Sequence, residues 1–205
     1  VLPKLSGPII ERDYGVEPEG VAEKETTMEM EVSAPQFLAG FKCAPAAEGD
    51  GYMRATILGD MASDILLGES SPLYQRLYEQ GLINPSFGGA YEMMPGVAYL
   101  YAGGDSKDAD AVTDAILKEA ARIAAEGVDP DYFRRVRKAS FGANLRGLNS
   151  FENIAVTLTE GYFHGYDPLK FPEVFDSITP EDIAGFLKAN VTAERMTVSR
   201  IVPKA

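Results

Sequence analysis

The sequence predicts an α+β domain, an antiparallel or mixed sheet with helices packed on one face. Three observations carry this. Short alternating or apolar runs stand near both ends of the chain, a hairpin signal stands in the middle, and several longer stretches return an apolar residue every three or four positions. Hairpins rather than strand-helix-strand crossovers dominate the connections, which favours antiparallel pairing.

Residues 1–25 carry Pro3, Pro8 and Pro18, three glycines and many charges without a sustained period, as a linker or extended arm does. Residues 26–205 form the domain. From Thr27 to Val32, Met28 and Met30 alternate with Glu29 and Glu31, which predicts a strand with one buried face. Pro35 ends it, and QFLAGFKCA (36–44) reads as a second strand. Met53, Ile57, Met61 and Ile65 then form a helical stripe in which methionine is core filling. Ser71 and Pro72 are an N-cap and first residue for a short helix that Gly81 closes. FGGAYEMM (87–94) and VAYLYAGG (97–104) flank Pro95-Gly96, a hairpin signal. A helix follows from Asp108 to Glu126 on Val112, Ile116, Ala120 and Ile123, with Gly127 as its stop. Asp129-Pro130 restarts a helix to about Leu148, Asn149 or Ser150 caps another through Phe163, and Thr179 with Asp182 opens one more through Leu187. RMTVSRIV (195–202) alternates again as a closing strand.

The composition narrows the function. With 19 Lys and Arg against 31 Asp and Glu, the formal charge of −12 repels nucleic acid and anionic membrane surfaces. No apolar run is long enough to span a bilayer, and VLPKLSGPII does not read as a signal peptide. Cys43 is the single cysteine, so an internal disulfide or multi-cysteine zinc site is ruled out; this suits a reducing compartment, and the expected location is cytoplasmic. The chain opens on Val1 rather than Met, as a fragment of something longer would.

The residues taken alone supply little chemistry. His164 is the one histidine, in GYFHGYDP at a helix end, where it serves more simply as a dipole partner or surface residue than as a ligand. Cys43 on a strand reads as core rather than as half of a Cys-His nucleophile. GGDS (103–106) lacks the GxGxxG pattern and a Lys-Ser/Thr ending, so it is a strand-to-helix connection. RRVRK (134–138) spreads around the solvent side of a helix as a solvated face. Carboxylates are abundant, yet spacing picks out no acid-base pair.

One segment says more. In SSPLYQRLYEQGL (70–82), Ser71, Leu73, Tyr74, Leu77, Glu79, Gly81 and Leu82 resemble a recurrent stretch in the second domain of insulinase/pitrilysin-type zinc peptidases, the inverted zincins, given one deleted residue before the glycine. SAPQFLAGFKCA resembles that domain's opening strand, and FPEVFDSITPEDIAGFLKANV its late helix; the co-linear set covers about residues 26–202. The resemblance implies a processing-peptidase-like α+β fold and a half-protein, in which two halves enclose a chamber for peptide substrates. The family's zinc is held by His-x-x-Glu-His and a later Glu in the first half. This chain has no such motif, so the resemblance implies no zinc here, only in a missing N-terminal half or partner subunit. The family's second half normally sets an Arg and, seven residues later, a Tyr against substrate. Those positions hold Tyr78 and Asn84 here, with Arg76 nearby, so the three are the substrate-contact candidates and the carry-over fails at both positions.

The expected function is the C-terminal half of a bacterial-type insulinase-like peptidase, or an inactive subunit of one, forming part of the peptide chamber. The full-length protein or complex is then a zinc metalloendopeptidase, while this chain alone is inactive. A non-enzymatic assembly domain that binds a partner subunit is the alternative from another class. A stand-alone hydrolase using Cys43 or His164 is a third.

Overall fold

A computed structural model describes residues 13, 15 and 17–204. Its elements run β1 (Glu25–Met30), β2 (Gln36–Cys43), α1 (Asp50–Leu67), α2 (Pro72–Glu79), β3 (Gly88–Met94), β4 (Val97–Asp105), α3 (Ala109–Glu126), α4 (Pro130–Gly147) and α5 (Phe151–His164). A 3-10 turn at Pro168–Lys170, α6 (Phe171–Asp176), α7 (Pro180–Asn190) and β5 (Met196–Pro203) complete it.

The helix starts follow from capping chemistry. Ser71, Asp129, Ser150 and Thr179 each accept a hydrogen bond from the backbone N–H three residues on, which satisfies one of the orphan donors of the first turn. Asp108 caps α3 in the same way. At Thr179 the bond is reciprocal: Asp182 accepts from the Thr179 backbone N–H at 2.9 Å. This box, with Pro180 in the first turn, separates α7 from the short α6.

The five strands form one mixed sheet in the order β1-β5-β2-β4-β3, with β1 parallel to β5 and the other pairs antiparallel. α1 packs on β3 and β4, while α3 and α7 pack on β2 and on each other. Phe37, Ala39, Phe41 and Cys43 of β2 and Ala98, Leu100 and Ala102 of β4 point into that helix layer and are buried. The Met53-Ile57-Met61-Ile65 stripe is buried against them, as its spacing predicts.

Among the described residues no helix covers the opposite sheet face. Leu38 is 51% and Met28 64% exposed, and Met28 lies opposite Ile201 in the β1–β5 register. The sequence expectation of a buried face for β1 is therefore corrected: the strand is real, from Glu25 to Met30, but all six of its residues are exposed. Its methionines fall on the side away from the helices, and β1 is an edge strand.

Most of the expected arm, residues 1–12, 14 and 16, lies outside the described residues. Its end does not hang free. Lys42 donates to the carbonyls of Pro18 and Gly20 at 2.9 Å each and pairs with Glu17; Thr197 Oγ1 donates to Glu23 O at 2.7 Å.

Gly59 shows how tightly α1 seats on the sheet, because a Cβ there would stand 2.2 Å from the ring of buried Tyr91 on β3. Gly59→Ala is expected to destabilise the fold by ~1–3 kcal/mol, as overpacking does. Thermal unfolding checks this, since each kcal/mol moves the midpoint by about 2–4 °C in a domain of this size.

Candidate functional site

The helix singled out by the sequence, α2, is held from beneath. Ser71, Leu73 and Leu77 are buried, and Gly81 takes φ 67°, a left-handed turn that lets the chain leave the helix. Its outer face presents Arg76 and Tyr78. The structure gives the three candidates separate surroundings rather than one shared pocket. Arg76 Nη2 donates to Glu119 Oε2 of α3 at 3.1 Å. Tyr78 is half exposed and stacks nearly parallel on Tyr74, with ring centroids 6.1 Å apart. Asn84 sits in the loop before β3, where its amide donates to Asp105 Oδ2 at 3.1 Å and its oxygen accepts from the Ser86 hydroxyl at 2.6 Å. Gln36 donates to the other Asp105 oxygen at 3.1 Å, and hydrogen bonds from Asn84 and Gln36 hold that carboxyl below its ordinary range. A polar corner thus joins β2, β4 and the α2–β3 loop, on residues far apart in sequence.

Glu119 is the part of this site that sequence reasoning missed. It is 5% exposed, and Arg76 and Arg122 both donate to it, the latter from Nε at 3.1 Å and Nη2 at 2.8 Å. The signal was available: Glu119 falls between Ile116 and Ile123 on the apolar stripe of α3, where an unpaired carboxylate would be costly. Burial opposes its charged form, but the two arginines outweigh burial and hold the carboxyl below its ordinary value.

A second carboxylate has the opposite setting. Between α1, β3, α4, α5 and α6 lies a cleft of about 890 Å³, lined largely by apolar side chains. Asp60 and Asp64 of α1 and Glu152 and Glu160 of α5 face it. Solvent reaches Asp60, yet the surrounding protein desolvates it and Asp64 and Glu92 repel its charge, so its carboxyl is pushed up to about 7. Desolvation raises Asp64 as well, partly countered by the Ser140 hydroxyl. One wall, α5, is itself scarcely packed. Gly161 is its buried residue, set against Pro168, while Phe151, Tyr162 and Phe163 are 91%, 82% and 74% exposed.

The remaining candidates are quiet. Cys43 is buried, its thiol pushed up to about 12 by burial, so it holds no nucleophilic thiolate at neutral pH. His164, the last residue of α5, stacks on Tyr52 at 3.9 Å and bonds Glu48 at 3.0 Å through Nδ1, pinning the helix end to the β2–α1 loop. In the 134–138 cluster, Arg134 pairs with Asp131 and Arg135 lies over Tyr132 within α4, while Arg137 pairs with Asp176 of α6. The connection expected over 103–106 is corrected: Gly103, Gly104 and Asp105 are the last residues of β4, paired with β2, and the turn to α3 starts at Ser106, which donates to Leu82 O at 2.8 Å. Among the described residues no cluster of three or more His, Cys, Asp or Glu is placed to hold a metal ion, and no helix is long and apolar enough to cross a membrane.

The two carboxylates give opposite pH signatures. Glu119, lowered in the fold, stabilises above about pH 4.3 and loses that contribution as pH falls below it. Both arginines are nearly half exposed, so screening limits the effect, and Glu119→Gln is expected to cost roughly 1–2 kcal/mol at pH 7 and little at pH 3. Asp60, raised in the fold, contributes stability below about pH 4 that is lost as pH rises toward 7; Asp60→Asn removes that part of the slope. Urea midpoints from pH 3 to 8 check both, and a variant whose profile parallels the parent's refutes its assignment.

The peptidase M16 inactive domain matches residues 4–140. The uncharacterized zinc protease YmfH of Bacillus subtilis (strain 168) is 30% identical over 204 residues, spanning 99% of this chain and 47% of that protein. This chain therefore spans about half the length of the curated relative it matches. A solved M16-like peptidase from Alicyclobacillus acidocaldarius superposes with TM-score 0.87 at 25% identity, over 95% of this chain and 47% of that one. The peptidase M16 inactive domain from Pseudomonas fluorescens gives TM-score 0.72 at 13% identity, over 92% of this chain and 46% of that one, a likeness of fold. The α+β sheet, its one-sided helix layer and the match over residues 4–140 place this chain in the family of the peptidase M16 inactive domain.

Proposed function

We propose that this chain is the zinc-free, C-terminal half of a two-half zinc peptidase and supplies part of the wall around a peptide substrate. The observation that carries this is its extent: it belongs to an inactive-domain family and matches about half of a relative described as a zinc protease. In this reading zinc and its general base belong to an N-terminal half or partner subunit. One histidine in 205 residues cannot make a His-x-x-Glu-His site. Residues 1–25 are then the strap that joins the halves, and the Lys42 contacts seat its end on this domain.

For substrate, Tyr78 and Asn84 are the candidate contacts. Tyr78 offers an exposed aromatic face, and Asn84 an amide already aligned by Asp105 and Ser86. Arg76 is committed to Glu119, so its role is to fix α2 against α3. A cytoplasmic setting fits the single, buried cysteine. The exposed apolar side chains of α5 and the open sheet face also favour a second reading, an assembly module whose partner is not a peptidase.

Zinc analysis and peptide-cleavage assays on this chain and on the full-length protein separate the readings. The peptidase reading expects about one zinc and peptide cleavage in the full-length protein, and neither in this chain alone. Stoichiometric zinc with cleavage by this chain alone overturns it, while a full-length protein without His-x-x-Glu-His favours the assembly module.

A further inference from the structure

We infer that the cleft between α1, β3 and α5 seats a segment of the full-length protein's other half, one that is apolar along the cleft and sets a lysine or arginine against Asp60. This rests on the reading above that a second half exists. The cleft, at about 890 Å³, is large enough for several side chains of one segment, and its walls include Ile57, Met61, Phe141, Leu148 and Val156. Its outer wall is lightly packed: α5 is anchored at its end by His164 on Glu48 and Tyr52, while little of its length is buried.

Charge says what the segment carries. Asp60, Asp64, Glu152 and Glu160 line the cleft, and among the described residues its lining includes no Lys, Arg or His. An apolar segment without a cation would strand these carboxylates away from water, at a cost that an ion pair offsets. The same chain shows the satisfied alternative at Glu119, which two arginines embrace. A second copy of this chain is a poor occupant, since two chains of charge −12 repel. The other half is the better one, because this chain covers 47% of YmfH and 47% of the M16-like peptidase from A. acidocaldarius.

The test measures association of this chain with the separately produced remainder of the full-length protein by titration calorimetry. Asp60→Lys and Val156→Asp are each expected to weaken association by about 30-fold or more, as loss of a desolvated charge pair or of its apolar surround does. Asp60→Asn is expected to fall between Asp60→Lys and the parent, and Arg134→Glu, outside the cleft, to stay within about threefold. Circular dichroism confirms that each variant folds; where Asp60→Lys does not, Asp60→Asn and Val156→Asp carry the test. Association unchanged by the cleft variants overturns the inference and leaves the proposed function standing. Absence of association overturns both. Self-association of this chain that the same variants abolish assigns the cleft to a second copy and also overturns the inference.

Discussion

A sheet covered by helices from one side only can bury every second side chain of each strand and no more, and the rest of this molecule is arranged around that constraint. On β2 the buried set is Phe37, Ala39, Phe41 and Cys43, while Leu38 points the other way and is half exposed. The register carries the division across the sheet: Ala39 lies beside Val198 and Ala102, and Leu38 beside Ser199 and Gly103. Burying one large aliphatic side chain contributes ~1.5–3 kcal/mol, so Leu38 and Met28 hold stabilisation that this chain by itself does not realise. Lys42, on the same face as Leu38, uses it to tie down the end of the arm.

The elements were legible because local rules set them. Ser71, Asp129 and Thr179 have a side-chain acceptor before a helical pattern and act as caps in the fold, and of Asn149 and Ser150 it is Ser150 that caps α5. Pro95-Gly96 marks its turn because Gly96 needs φ 80°. What could not be read was which side the helices take. The alternation of Met28 and Met30 with Glu29 and Glu31 identifies a strand, but a period of two is silent about cover. Only the parallel pairing with β5, almost the whole chain away, sends the methionines outward.

The site was less legible, for a physical reason of the same kind. The sequence marks α2 by its apolar spacing, yet what its polar residues do is decided by partners from elsewhere. Arg76 is claimed by Glu119, 43 residues on, and Asn84 by Asp105, 21 residues on. A motif aligned from sequence assigns positions, whereas these partners decide whether a side chain faces a ligand or braces the scaffold. The positions of Cys43 and His164 were readable: the structure buries Cys43 on β2 and ends α5 on His164.

Glu119 and Asp60 occupy the two opposite settings that this chain gives a carboxylate near its core. Both are carboxylates on helices against the core, and desolvation opposes the charge of each. At Glu119 the chain supplies two cations from its own α2 and α3, and the carboxyl sits below its ordinary value. At Asp60 the nearby charges are Asp64 and Glu92, both of the wrong sign, and the carboxyl is pushed up to about 7. Glu152 and Glu160 stand along the same cleft and add to its negative charge. The inferred docking of the other half follows from this contrast: a cleft that is apolar, acidic and unmatched in cations would draw its balancing charge from that half.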